Sequence, residues 1–96
     1  MTVRVTLNCQ VKSGHIKVLI SFLKNHLSNV RSFNGCMSVT IYFDKDNSEM
    51  LIEETWLNAE HHQAYIKHIE SNGVLSELVQ FLELAPVIKY FIKESI

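Results

Sequence analysis

Two hydrophobic periods alternate along this chain in a fixed order, and that order restricts the fold more than any single motif. Residues 2–11 repeat with period two. Val3, Val5, Leu7, Cys9 and Val11 share one face, and Arg4, Thr6, Asn8 and Gln10 share the other. Ser13-Gly14 breaks this strand pattern. Over residues 15–31 the step becomes three and four, with Ile16, Leu19, Ile20, Leu23, Leu27 and Val30 forming the stripe of an amphipathic helix. Asn34-Gly35 marks a turn. Residues 36–43 predict a second strand, with Met37, Val39, Ile41 and Phe43 on its apolar side. The polar run 44–48 predicts a hairpin loop. Residues 50–56 predict a third strand that puts Met50, Ile52, Glu54 and Trp56 on one face. Asn58 suits an N-cap, with Glu60 in the first turn of a helix over 59–70. Ser71-Asn72-Gly73 interrupts it, and a short helix follows over 74–82. Pro86 closes the helical part. Residues 87–93 predict a last strand, apolar on the side of Ile88, Tyr90 and Ile92.

The order is β-α-β-β-α-β. With hairpin pairing and right-handed crossovers it gives one ferredoxin-like α+β domain over residues 1–96, helices covering one face of a four-stranded antiparallel sheet. The other face would carry Thr, Ser, Tyr, Leu and Phe side chains, neither fully apolar nor charged. A sheet face of that kind suits cover by a second sheet, so a homodimer of the dimeric α/β-barrel type is expected. The composition agrees: 47% of the 96 residues are hydrophobic and 20% charged, apolar for so small a chain.

The formal net charge of −1 and the absence of a basic block argue against a nucleic-acid partner. No apolar run reaches the roughly 18 residues of a membrane span, and the first residues lack a signal-peptide core. A cytoplasmic protein is expected. Cys9 and Cys36 stand apart, without metal or redox spacing, and read as free thiols.

The chemically capable side chains concentrate in residues 53–69, EETWLNAEHHQAYIKHI. On a helical wheel His61, His62, Tyr65, Ile66 and Ile69 fall within one arc of about 140°. Ile66 and Ile69 should face the sheet, which turns His62 and Tyr65 inward with His61 at the edge. Such a face suggests a cavity with polar walls. Histidine can take or give a proton near neutrality, and tyrosine can donate to an oxyanion. Trp56 could form an aromatic wall. Glu54 lies among apolar neighbours and needs a partner or a raised pKa; Arg4 and Arg31 are candidates. Each of these residues can equally be ordinary core. No HExxH, no histidine pair at i,i+4 and no cysteine cluster supports a metal site. Only three glycines are present, and no phosphate loop.

Taken together, several short segments resemble the antibiotic biosynthesis monooxygenase family of dimeric α/β-barrel proteins. They are Val11-Lys12-Ser13-Gly14 after the first strand, Phe33-Asn34-Gly35-Cys36 before the second, and Glu54-Thr55-Trp56 closing the third. Ala64-Tyr65-Ile66 in the second helix and Pro86 before the last strand complete them. The resemblance implies a cofactor-independent monooxygenase that oxidises a small aromatic or quinol-type substrate with dioxygen. In that scheme His62 and Tyr65 are the candidate catalytic residues and Trp56 the aromatic wall, and the residue pattern adds Glu54, His61 and Ile66 to the candidate substrate-binding set. The family's helix histidine is Tyr65 here, and its substrate-binding asparagine four residues before the tryptophan is Ile52. An axial histidine of haem-degrading relatives has no counterpart in residues 74–84. A non-catalytic or stress-related binding module, or a proton-transfer isomerase, are the alternatives on the same fold.

Overall fold

The computed structural model describes residues 1–96. The elements are β1 (Val3–Gln10), α1 (Ile16–Arg31), β2 (Cys36–Phe43), β3 (Glu49–Trp56), α2 (Ala59–Ser71), α3 (Val74–Gln80) and β4 (Val87–Phe91). All strand pairs are antiparallel, in the order β2-β3-β1-β4. This is the ferredoxin-like α+β architecture that the alternating periods imply.

The register sorts side chains into cross-strand rows, because residues directly opposite point to the same side of a sheet. On the helix side one row reads Val39, Glu54, Val5, Tyr90, and the next reads Ile41, Ile52, Leu7, Ile88. Val5, Cys9, Leu19, Met50, Trp56 and His62 are the largest fully buried side chains. Truncating one of the apolar ones, Leu19→Ala for example, would cost about 2–5 kcal/mol. On the far side the rows are Tyr42, Leu51, Asn8, Val87 and Thr40, Glu53, Thr6, Lys89. Tyr42, Val87 and Phe91 are exposed there.

Local chemistry fixes the joints. Asp44 folds the β2–β3 loop by accepting from the backbone N–H groups of Ser48 and Glu49 at 2.8 and 2.9 Å, and from the Ser48 hydroxyl at 2.9 Å. The Asn58 side chain accepts from His61 N–H at 3.0 Å and so caps α2. Arg31, in the last turn of α1, donates to the Val39 carbonyl at 3.0 Å and ties the helix end to β2.

Two expectations, for Met37 and for β4, need correction. Met37 does not lie on the apolar side of β2. A β-bulge between Cys36 and Ser38 makes it the extra residue, 56% exposed, and Cys36 pairs with Trp56 instead. The expected α1 stripe is inward, with Leu19 and Val30 buried, and Phe22 and His26 widen it beside Leu23 and Leu27. β4 ends at Phe91 and is exposed along its length, because it is an edge strand that the helices cover only in part.

Candidate functional site

The α1 and α2 faces do not close completely on the sheet. Between them lies a cavity of about 70 Å³. Its walls are apolar side chains of α1 (Phe22, Leu23, Leu27, Val30), of the sheet (Leu7, Val39, Ile41, Ile52) and of the two later helices. Four other groups reach it: Glu54 from β3, His62 and Tyr65 from α2, and His26 from α1. The i,i+3 step from His62 to Tyr65 and the i,i+4 step from His62 to Ile66 put all three on the inner face of α2, as the wheel anticipated. A second, more polar cavity of about 210 Å³ lies between α1 and α2. It shares His26, Tyr65, Ile69 and Val74 with the first and adds Asn29, Ser32, His68 and Asn72.

Glu54 is buried and pairs with neither arginine. Arg4 pairs with Glu53 at 2.8 Å on the outer face, because neighbouring residues of a strand point to opposite sides, and Arg31 is held by Val39. Instead the Trp56 indole N–H donates to Glu54 Oε1 at 2.8 Å. His62 Nε2 lies 3.6 Å from the same oxygen and has no hydrogen-bond partner of its own. Its Nδ1 lies 2.7 Å from the Tyr90 hydroxyl.

Burial governs the charge states. It pushes the Glu54 carboxyl up, against the opposing pull of the Trp56 hydrogen bond. The same desolvation takes His62 down to about 4, so the ring is neutral near pH 7. Burial, and then the charge of Glu54, pushes Tyr65 up to about 12, which keeps its phenol a donor. Glu54, whose affinity for a proton burial raises, is thus the group that can accept one from a ligand in the cavity, beside a neutral imidazole.

Compared as a sequence, the chain matches no protein-family model and no curated protein. Solved structures do match. A conserved protein from Methanosarcina mazei Go1 superposes with a TM-score of 0.86 at 18% identity, over 98% of this chain and 94% of that one. An antibiotic biosynthesis monooxygenase gives 0.85 at 8% identity, over 97% and 99%. The chain shares the ferredoxin-like α+β fold of these structures. A monooxygenase of Streptomyces coelicolor, solved in complex with the ligand nanaomycin D, gives 0.78 at 14% identity, over 99% and 88%.

Within this fold the expected residues separate into two groups. Glu54, His62, Tyr65 and Ile66 meet at the cavity. Trp56 and His61 do not. Trp56, expected as a wall for the ligand, is fully buried in contact with Phe33, His62 and Tyr65, with ring centroids 5.4–6.1 Å away. Its contribution reaches the cavity through Glu54. His61 turns away to Asn58 Oδ1, 2.7 Å from its Nδ1, and packs over Gly35. Tyr90 and His26 escaped the sequence reading. The period-two pattern put Tyr90 on the inner side of its strand, but nothing local showed that β4 lies beside β1. His26 had a signal, its i+3 and i+4 spacing from Leu23 and Phe22.

Proposed function

We propose that the protein is a cofactor-independent monooxygenase acting on a small, monocyclic phenol or quinol-type substrate. The observation that carries the reading is the meeting of Glu54, His62 and Tyr65 at one otherwise apolar cavity. The walls bury the ring, Tyr65 donates to its oxyanion, and the Glu54–His62 pair takes the proton. The resulting electron-rich anion reduces dioxygen itself, so the reaction needs no flavin, haem or metal. An inner space of about 70 Å³ is smaller than the roughly 150 Å³ that accommodates benzene in an engineered cavity. A substrate must therefore also occupy the polar mouth beside Tyr65 and His68, which favours one ring with a polar arm over a polycycle. We also propose a dimer through the outer sheet face, where Tyr42, Val87 and Phe91 are exposed.

A buried carboxylate beside a neutral imidazole equally suits an isomerase that moves a proton without oxygen, and that is the second reading. Oxygen uptake by chelator-treated protein across a panel of substituted phenols and quinols tests the first. Uptake above autoxidation, lowered about 10²–10⁴-fold in Glu54→Gln, is expected. Uptake at the autoxidation rate across the panel contradicts it.

A further inference from the structure

The Glu54 carboxyl is itself buried, 4% exposed, so a proton it accepts needs a route to water. Glu54 and Tyr90 stand in the same cross-strand row, on either side of Val5. Two strand spacings, roughly 10 Å, separate their backbones. The His62 ring bridges that gap, Nε2 toward Glu54 at 3.6 Å and Nδ1 toward the Tyr90 hydroxyl at 2.7 Å. His62 is fully buried, whereas Tyr90 is 41% exposed on the edge strand. The three groups thus run from the cavity to solvent, and each can both accept and give a proton.

We infer that Glu54, His62 and Tyr90 form a proton relay between the cavity and bulk water, with Tyr90 its outer terminus. The inference rests on the proposed oxygenase only for its use, not for its existence. In the outward direction the substrate O–H proton passes to Glu54, which gives a proton to His62 Nε2. His62 Nδ1–H passes its proton to the Tyr90 oxygen, and the Tyr90 hydroxyl proton leaves to water. The ring is left in its other neutral tautomer. The phenolate gives an electron pair to dioxygen at a ring carbon that bears hydrogen, and a C–O bond forms there as a peroxide anion. That anion needs one proton back. Water supplies it through Tyr90, His62 and Glu54 in reverse, which restores the first tautomer. The O–O bond then breaks, the remaining C–H proton joins the departing hydroxide as water, and a carbonyl remains. One proton leaves and one returns, so the relay resets with each turnover.

Tyr90→Phe removes the terminal oxygen and keeps the ring. In protein labelled with ¹⁵N at histidine, solvent exchange of the His62 ring proton reads the relay directly, without any substrate. The relay predicts that exchange slows by about tenfold or more in Tyr90→Phe, with core amides still protected although the lost His62 partner lowers the melting midpoint. Equal His62 exchange in the two proteins overturns the relay. Loss of core amide protection in Tyr90→Phe, in step with faster His62 exchange, also overturns it and makes Tyr90 a structural residue. Because the readout is not turnover, a failed search for oxygenase substrates leaves the result standing.

Discussion

His62 Nδ1 and the Tyr90 hydroxyl lie 2.7 Å apart, joining α2 to the edge strand β4 across 28 residues of sequence. On its other side the same ring faces Glu54, whose carboxylate is held by Trp56. The polar content of this core is one connected chain of groups rather than scattered exceptions. Such chains are costly when broken, because a buried group left unsatisfied keeps its full desolvation penalty.

The Trp56–Glu54 hydrogen bond should be worth more than the packing of the indole alone. Trp56→Phe keeps an aromatic ring in the core but removes the only N–H that Glu54 receives from a side chain. A loss of about 1–3 kcal/mol is expected for the orphaned acceptor. Urea unfolding at pH 7 measures it. In Trp56→Phe combined with Glu54→Gln, part of the loss should return.

His62 gives stability a definite dependence on pH. Its ring titrates near 6.5 when unfolded and at about 4 when buried. Between those values the unfolded chain binds the extra proton, so the contribution of neutral His62 is complete above pH 6.5 and is lost as pH falls toward 4, by roughly 3 kcal/mol at most. Glu54 has the opposite sign. Its folded carboxyl is raised from 4.5, so the folded state holds more protons just above that value. Asp44, lowered from 3.8 by its loop hydrogen bonds, acts below the window. The diagnostic is therefore the difference between wild type and His62→Gln in urea midpoints from pH 7 to 4. The difference should narrow steadily on acidification.

Gly35 and His61 should be energetically coupled. Gly35 has φ +93°, which disfavours any L side chain, and a Cβ at this position would collide with the His61 ring. Gly35→Ala should cost about 1–3 kcal/mol through strain and displacement of that ring. Combined with His61→Ala only the ring's share of the clash should vanish, while the contact with the remaining Cβ of residue 61 and the backbone strain persist. A double-mutant cycle read by thermal unfolding separates them.

Sedimentation at micromolar concentration should give a dimer. Leu51 sits between Tyr42 and Asn8 in an outer row of the sheet. Leu51→Asp should shift the protein to monomer with the far-ultraviolet spectrum retained. A monomer in the wild type would remove the second sheet from the account.

Much of this molecule was legible from its sequence because the signals are local. The alternation in β1 and β3 declared which side chains are buried. Asn58 announced the start of α2, and the wheel turned His62 and Tyr65 inward. The misses are mostly relations that periodicity does not encode. Met37 obeys the alternation of β2, yet a bulge set by pairing with β3 expels it. Glu54 was expected to seek an arginine, but its donor is two residues away on the same strand face, and Arg4 is spent on Glu53. Trp56 carried the expected apolar signal, yet burial depth, which periodicity does not encode, decides that it supports the cavity from behind. Tyr90 enters the site only because β4 pairs with β1, and no short-range pattern contains that pairing.

The most direct test of the oxygenase is the fate of the oxygen atoms. A phenolic substrate found by oxygen uptake would be turned over by metal-free protein under ¹⁸O₂, and the product weighed by mass spectrometry. The account predicts one labelled oxygen in the product and the other in water, with the rate falling in Glu54→Gln but the labelling unchanged. A product carrying oxygen from water alone, or an unlabelled isomer of the substrate formed equally well without dioxygen, would contradict it.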